Sequence, residues 1–257
     1  MLNIILAEGY REFVYFRRYI FERFSSIVML SFIFLGFVYS SATIIDGRFV
    51  IDKFATSYKL VGFLVWFFAL DAVGHLSSAL REDLHIGILE QIALTPYSLI
   101  YNMLGRSIAR FFITLINALI ILLFFNFAFH LKINIPLKVL PFFFITYVGL
   151  YGLGLFFAGL TLIFKRLGPV TTITRFMLLI FTGAIIPIDV FPDYLRIISI
   201  FLPMTTGLSL MKNVIFNNKV IELQSVMLLL VNTFFYLSIG IIVFLLLEKR
   251  ARRLGTL

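Results

Sequence analysis

The chain has 257 residues, of which 61% are hydrophobic and 14% are charged, and its formal net charge is +9. So much apolar surface excludes a soluble globular protein and predicts an integral membrane protein. The Lys and Arg residues stand at the ends of apolar runs, which favours membrane anchoring over nucleic-acid binding, so we expect membrane lipids and no nucleic acid as partners. The absence of cysteine excludes disulfides and thiolate metal sites.

The first predicted element is an amphipathic helix over residues 8–24. At 100° per residue, Glu8 and Glu12 share one arc with arginines, while Tyr10 and Phe13 share the other. This pattern is typical of a helix that lies in the membrane interface.

Six apolar segments reach or nearly reach the roughly 20 residues that a spanning helix needs. Most of the 22 Lys and Arg residues flank these segments on the side that would hold both chain ends. We therefore predict one membrane domain over residues 1–257, multi-pass in the cell (inner or plasma) membrane, with both termini cytoplasmic. The predicted spans are 26–45, 58–80, 106–129, 139–164, 171–188 and 226–247.

The second predicted span contains Asp71 and His75, which lie four residues apart with Ser78 one turn further. An ionisable residue inside a membrane is a functional candidate, and a proton relay is one interpretation. The other interpretation is structural: Asp71 and His75 pair with each other or join their helix to a neighbouring one. We favour the structural interpretation, because a relay needs further titratable groups at membrane depth and the sequence suggests none.

Residues 80–110 form the one long charged segment between two apolar spans. Leu84, Ile88 and Ile92 repeat at helical spacing, which predicts a short amphipathic helix around residues 87–94. Thr95 precedes a proline and is pushed out of the helical region, so this helix ends there, and Pro96 can begin the next helix.

The segment from Asp189 to Glu222 is too short to span the membrane and too apolar to be a solvated loop. Its prolines Pro192 and Pro203 predict a pair of short helices that dip into the outer leaflet. An ordinary interfacial hairpin without a gating role is the alternative. In the fourth span, Gly154 and Ala158 form a small-residue face, for which packing inside the subunit is expected.

Nucleotide-binding and hydrolase motifs do not occur in the sequence. Without G-x-x-x-x-G-K-[ST], we expect the chain neither to bind nor to hydrolyse ATP. There is no G-x-S-x-G and no H-E-x-x-H, and His75, His85 and His130 are not placed as a metal site. The chain is therefore expected to be no enzyme and to hold no cofactor or metal.

Two patches carry a resemblance to a known family. Glu82, then Gly87-Ile88-Leu89-Glu90, Thr95-Pro96 and Gly105-Arg106 resemble the first cytoplasmic loop of type-2 ABC exporter permeases, although Ile88 stands where that family often has threonine. The second patch resembles the segment after the fifth span of the same family. It comprises Gly183 to Pro187, Phe191-Pro192, Leu195 and Leu202-Pro203.

The resemblance implies an all-α polytopic fold with an interfacial helix, a cytoplasmic coupling helix and outer re-entrant helices. It also implies a dimer, with a second copy or a sister permease, driven by two copies of a separate ABC ATP-binding subunit that carries ATP and Mg. Glu82, Asp83 and Glu90 would make polar contacts with that subunit. The side chains of Leu84, Ile88 and Leu89 would fill its groove, and Gly87 would belong to the same short coupling helix. The outer gate would comprise Gly183, Pro187, Pro192 and Pro203.

The cargo is the least defined expectation. The 32 Phe and 11 Tyr residues suit amphipathic molecules as well as bilayer anchoring. The first span lacks the start typical of polysaccharide permeases, so we expect export of an amphipathic small molecule, a lipid or a lipid-linked glycan. An ion-gradient-driven transporter or channel that uses Asp71 and His75 is the alternative, and a membrane-embedded enzyme has no supporting constellation.

Overall fold

The computed structural model describes residues 2–40, 42–45, 48–93, 97–217 and 222–254, and most of them are helical. A hairpin of two three-residue strands, β1 (Thr43–Ile45) and β2 (Arg48–Val50), joins the second helix to the third. The all-α class is confirmed, and the hairpin is an addition that the sequence did not suggest. The helices are α1 (Leu2–Arg18), α2 (Ile20–Tyr39), α3 (Lys53–His85), α4 (Ile88–Ala93), α5 (Ile100–Phe129), α6 (Leu140–Phe164), α7 (Gly168–Phe181), α8 (Asp193–Phe201), α9 (Pro203–Lys212) and α10 (Leu223–Arg253).

The N-terminal helix differs from the predicted interfacial helix over residues 8–24, whose limits are wrong. α1 occupies residues 2–18, and after a break at Tyr19 the chain continues as α2. The orientation is also unexpected, because Glu8 and Glu12 are each only 8% exposed, whereas Tyr10 is 72% exposed. α1 thus turns its polar face to the protein and its apolar face outward.

Within the described residues, five helices are long and apolar enough to cross a membrane: α2, α3, α5, α6 and α10. They correspond in order to the predicted spans 26–45, 58–80, 106–129, 139–164 and 226–247. The predicted span 171–188 corresponds to α7, which has 14 residues. At 1.5 Å per residue α7 is about 21 Å long, less than the roughly 30 Å of a bilayer core.

The segment after α7 forms the two short helices that the prolines predict. α8 and the helix that begins at Pro203 meet at an angle of 93°, as in a broken span or a re-entrant loop. Pro203 lies in the first turn of α9, where its missing N–H leaves no intrahelical bond unmade. Because the bent pair could count as one span, the structure is compatible with five or six spans.

Glycines allow α3, α6 and α10 to pack closely in the core. A Cβ on Gly154 of α6 would lie 2.1 Å from the carbonyl oxygen of Ala72 in α3. A Cβ on Gly240 of α10 would lie 2.1 Å from the carbonyl oxygen of Gly152 in α6. The predicted use of the small-residue face of α6 for packing inside the subunit is confirmed.

Several helix ends meet at one end of the bundle, which we call the charged end. The C-terminal end of α3, the N-terminal end of α5 and the C-terminal end of α10 are joined there by ion pairs and hydrogen bonds, and α1 packs beside them. The two ends of the chain that the structure describes therefore lie at the same end of the bundle.

Candidate functional site

An ion-pair cluster at the charged end joins α1, α3 and α5. Arg106, only 1% exposed, donates from Nε to Oε2 of Glu8 at 2.8 Å, and its Nη2 lies 2.6 Å from Oδ2 of Asp83. Arg11 donates from Nη2 to Oδ1 of Asp83 at 2.5 Å. Two arginines and two carboxylates thus neutralise one another, which is the condition under which buried charges are tolerated.

Close helix packing makes this cluster possible. Gly105 of α5 lies directly against α1, because a Cβ there would stand 2.7 Å from the carbonyl oxygen of Ile5. On α1, Arg11 and Glu12 follow Glu8 by three and four residues, so both share its face. That face meets the α5 face that carries Arg106.

A second group of charged residues lies beside the cluster. Asp71 accepts from Nε of Arg110 at 2.5 Å and from the hydroxyl of Thr114 at 2.9 Å. His75 Nε2 lies 3.2 Å from Oε1 of Glu12. Asp71 and His75 thus each tie α3 to another helix, as the structural interpretation proposed, and the expectation of no further titratable groups beside them is wrong.

Glu12 is outside the spans and is held in its charged form. Burial opposes its ionisation, but the hydrogen bond and charge of His75, with the charges of Arg110 and Arg106, outweigh burial and lower the pKa of Glu12 to about 2. The carboxylate is therefore ionised at neutral pH, and its contact with His75 holds α1 against α3.

A polar cavity of about 460 Å³, which we call the charged cleft, opens between these helices. It carries charges of both signs, so its composition alone selects neither a cation nor an anion. Glu22 and Ser26 of α2 line its wall. The remaining lining residues include Arg11, Glu12, Tyr15, His75, Ser78, Glu82, Arg106 and Arg110.

The predicted coupling segment is divided between two helices. α3 extends to His85, beyond its predicted end at Leu80, and so includes Glu82, Asp83 and Leu84. Gly87 follows with a φ of +72°, a left-handed conformation that favours glycine, and the chain turns into α4. α4 covers residues 88–93, close to the predicted helix.

The coupling segment presents a different set of side chains from the one that the resemblance assigned to a partner. Asp83 and Leu89 are both 0% exposed, Asp83 in the ion-pair cluster and Leu89 in the core. Ile86, by contrast, is 54% exposed. The assignment of Asp83 and Leu89 to partner contacts is thus corrected, because these side chains hold this chain together.

The other predicted coupling residues lie nearer the surface. Glu82 is exposed, and Leu84 and Ile88 are half-buried. Gln91, which is not among the predicted coupling residues, is also exposed. Glu90 belongs to α4, but its side chain lies outside the described part of the structure, as do Thr95 and Pro96. The helix stop predicted at Thr95 therefore also falls outside the described residues.

A contact that sequence reasoning missed joins the C-terminal helix to the start of α5. Glu248 accepts from the backbone N–H of Leu99 at 3.0 Å and from the hydroxyl of Ser98 at 2.7 Å. Arg252 donates to the same carboxylate at 3.0 Å. A carboxylate at a helix N-terminus is favoured by the helix dipole, so Glu248 caps α5 from 149 residues away.

Of the predicted outer gate residues, Gly183 contacts a buried lysine at the opposite end of the bundle. Lys212, 3% exposed, donates to the carbonyl oxygen of Gly183 at 2.7 Å and lies 3.7 Å from the ring centroid of Tyr58. Gly183 has a φ of +78°, and Pro187 precedes a 3₁₀ turn. Lys212 thus links α9 to the chain that follows α7.

The prolines of the outer gate stand at helix starts. Pro192 directly precedes α8, and Pro203 begins α9 and is buried. Asn232 of α10 donates to the carbonyl oxygen of Ile200 at 3.0 Å, which holds α8 beside α10. The structure gives the positions of these residues, and their gating role stays a prediction.

Comparison with known protein families gives one match. Residues 4–216 match a family model described as ABC-2 type transporter. The matched range includes the ion-pair cluster, the coupling segment and the outer gate residues. A comparison with curated proteins gave no significant match.

Proposed function

The chain belongs to the ABC-2 type transporter family, and from this premise we propose that it is the permease of an exporter, powered through the coupling segment by a separate ATP-binding subunit. Family membership makes it a multi-pass membrane subunit of an ABC transporter without an ATPase of its own. The finer proposal adds that the charged end faces the cytoplasm of the cell and that ATP and Mg bind to the partner.

The observation that carries this proposal is the position of α4. It lies between the ends of two membrane-crossing helices, α3 and α5, with Leu89 buried in the core and Ile86 exposed at the turn. A helix anchored on one side and exposed on the other can receive a push from a partner and pass it to both neighbours. Glu82, Ile86 and Gln91 are the described side chains that a partner would reach first.

The contacts at the charged end support transmission of such a push. Asp83, at the end of α3, is paired with Arg106 of α5 and Arg11 of α1. Glu248 connects α10 to the start of α5. Displacement of α4 would therefore move α1, α3, α5 and α10 together rather than one helix alone.

α2 supports the proposal that the chain works as a dimer, either with a second copy or with a sister permease. Only 6% of its most apolar 18-residue stretch is buried inside the subunit. Large apolar side chains stand free along it, among them Met29 at 65% and Phe32 at 69% exposed. We propose that this face meets the second permease and borders the transport pathway.

The same helix supports the proposed cargo, an amphipathic small molecule, a lipid or a lipid-linked glycan. Glu22 and Ser26 of α2 line the charged cleft, while Phe21, Phe24 and Met29 line an apolar groove on the same helix. An amphipathic molecule could therefore place its polar part in the cleft and its apolar part along the groove.

The decisive experiment replaces Ile86 in the chain co-expressed with its ATP-binding subunit and reconstituted in liposomes. Ile86→Asp puts a charge into the proposed groove contact and should lower the affinity of the two subunits about tenfold, which corresponds to about 1.4 kcal/mol. Transport-coupled ATP hydrolysis should fall with it. Co-purification yield and ATPase rate measure the two effects.

Ile86→Leu is the matched control, because it keeps an apolar side chain of the same volume at the same place, and it should retain both affinity and rate. Equal subunit affinity and coupling in Ile86→Asp and Ile86→Leu would contradict the docking proposal. Uphill transport by the isolated chain without nucleotide would contradict the ATP-driven mechanism and favour an ion-driven transporter instead.

The alternative, an ion-driven transporter, would use Asp71 and His75 to carry protons or other ions. The carboxylate of Asp71 is paired with Arg110 and Thr114, and His75 with Glu12, so both side chains are accounted for as ties between helices. No contact in the described part of the chain favours a proton relay through them.

A further inference from the structure

A second, smaller cavity lies at the charged end between α3, α6 and α7. Its volume is about 140 Å³, enough for several waters or one phosphate group. Two arginines, Arg81 and Arg175, line it together with five hydroxyl side chains, among them Ser78, Thr171 and Thr172. No carboxylate lines it within the described residues, in contrast to the charged cleft.

Arg175 is the clearest sign that this cavity has a ligand. In the described part of the chain its guanidinium has no hydrogen-bond or ion-pair partner, and its Nε is fully buried without an acceptor. A buried donor without a partner costs free energy. Arg175 interacts electrostatically with the carboxylate of Asp71, but that carboxylate is already paired with Arg110.

The fold makes room for this guanidinium. A Cβ on Gly74 would lie 1.0 Å from Nη2 of Arg175, so any other residue at position 74 would displace the arginine from its place. Glycine is therefore the only residue type at position 74 that leaves the cavity wall as observed. Glycine at position 74 thus leaves the space that the end of the Arg175 side chain occupies.

Two further sources of positive potential face the same cavity. Arg81 stands at the end of α3, and its Nη1 would lie 3.3 Å from a Cβ on Gly168, the first residue of α7. α7 has 14 residues, and no side chain caps its N-terminus, so its first N–H groups and its dipole add positive charge there. Both arginines and the helix start therefore attract an anion.

We propose that this cavity binds a phosphate-bearing anion, either the headgroup of an anionic lipid or free phosphate. Two guanidinium groups can pair with several phosphate oxygens, and the hydroxyl of Thr172 can donate to another. The bound anion need not be the transported molecule. The residues of this cavity are also different from those that the coupling segment would present to the ATP-binding subunit. A lipid headgroup could reach it because Arg81 is exposed at the end of the bundle.

The purified full-length chain in a neutral maltoside detergent provides the test. Native mass spectrometry would count bound dioctanoyl phosphatidylglycerol, with dioctanoylglycerol as the neutral lipid, and equilibrium dialysis would measure inorganic phosphate at constant ionic strength. Saturable binding of phosphatidylglycerol alone identifies a lipid headgroup site, and binding of phosphate as well identifies a site for a free anion. Absence of saturable binding in both assays overturns the proposal.

Trp66 offers an optical readout of the same site. It is the single tryptophan of the chain, and its Nε1 donates to the carbonyl oxygen of Arg175 at 2.7 Å. Occupation of the cavity should therefore change the fluorescence of Trp66 with the same concentration dependence as the binding assay.

Arg175→Gln and Gly74→Ala should each weaken binding about tenfold, the first by removing the charge and the second by displacing it with the net charge unchanged. Arg166→Gln is the matched control, because Arg166 is exposed in the turn just before α7. It should leave binding within about twofold. Wild-type binding in both cavity variants, or an equal loss in Arg166→Gln, overturns the proposal.

Should Arg175→Gln and Gly74→Ala fail to fold, Arg81→Gln tests the same cavity from its exposed side. It should also weaken binding, and unchanged binding in a folded Arg81→Gln variant contradicts the site.

Discussion

The α5 arginines Arg106 and Arg110 pair with carboxylates of other helices. Arg106 joins Glu8 and Asp83, and Arg110 joins Asp71, each pair formed by side chains far apart in sequence. Such pairs cost desolvation, and their loss is expensive mainly because the remaining charge stays buried. At this scale the charges specify which helix faces which neighbour.

Arg106→Gln should therefore destabilise the chain by about 3 kcal/mol, because Glu8 and Asp83 would share the single cation Arg11. Thermal unfolding in detergent measures the effect. Arg166→Gln, at an exposed arginine, should leave the unfolding temperature unchanged.

The double variant Arg106→Gln/Asp83→Asn completes the cycle and should be less destabilised than the sum of its single variants. An unfolding temperature of Arg106→Gln equal to that of Arg166→Gln would contradict the assigned role of the cluster.

The pH dependence of stability should contain a contribution from Glu12. Its pKa is about 2 in the folded chain, below its usual value of 4.5, so this stabilisation is complete above pH 4.5 and is lost as the pH falls through 2. Glu12→Gln should lower the unfolding temperature at pH 7, and the difference from the natural chain should shrink between pH 4.5 and pH 2. A constant difference over that range would argue against Glu12 as the titrating group.

Whole helices are attached at their ends by single side chains. α5 begins at Ile100, whose N–H donates to the hydroxyl of Ser98 at 3.3 Å, and Glu248 of α10 accepts from the N–H of Leu99. Lys212 does the reverse at the other end of the bundle, where it donates to the carbonyl oxygen of Gly183 after α7. Helix ends that leave backbone groups unpaired thus define where the elements are joined.

Glu248→Gln should loosen the start of α5, because a neutral side chain is a weaker acceptor and no longer complements the helix dipole. The expected cost is about 1 kcal/mol, and hydrogen exchange at the amides of Leu99 and Ile100 should become faster. Glu222→Gln is a suitable control, because Glu222 precedes α10 without capping it and is exposed. Similar exchange rates in the two variants would count against the cap.

At the scale of the molecule, one side of the bundle is incomplete. α3, α6 and α10 approach one another through close glycine contacts, whereas α2 buries only Phe34 and Val38 among its described apolar side chains. An isolated subunit offers half of a pathway between such helices, so the proposed assembly needs a second permease beside α2 and two ATP-binding subunits below the coupling segment.

The dimer can be tested cleanly because the chain contains no cysteine. Met29→Cys in α2 should give a covalent dimer with a bifunctional maleimide in membranes. Leu123→Cys in α5 should not, although both positions are 65% exposed. Equal cross-linking at the two positions, or none at Met29→Cys, would refute α2 as the dimer face.

Much of the architecture followed from local patterns. The apolar runs placed five of the long helices, and the prolines at 192 and 203 predicted the two short ones, because helix length and proline geometry depend on neighbouring residues. The end of α7 was missed by several residues. An apolar run continues through Gly183 to Pro187, and the turn there depends on the left-handed backbone of Gly183 and its contact with Lys212.

The partners of the charged residues could not be obtained in this way. Asp83 and Leu89 fit an exposed coupling segment by type and spacing, yet the rotation of α3 and α4 about their axes turns both inward. Glu248 lies in a basic tail that suggested a membrane anchor, and it reaches α5 only because α10 ends there. Apolar run length and motif order were sufficient for the class and family of the protein, since both are local properties of the chain. The pairing of charges, and hence the composition of the candidate site, depends on how distant helices pack, which no local pattern contains.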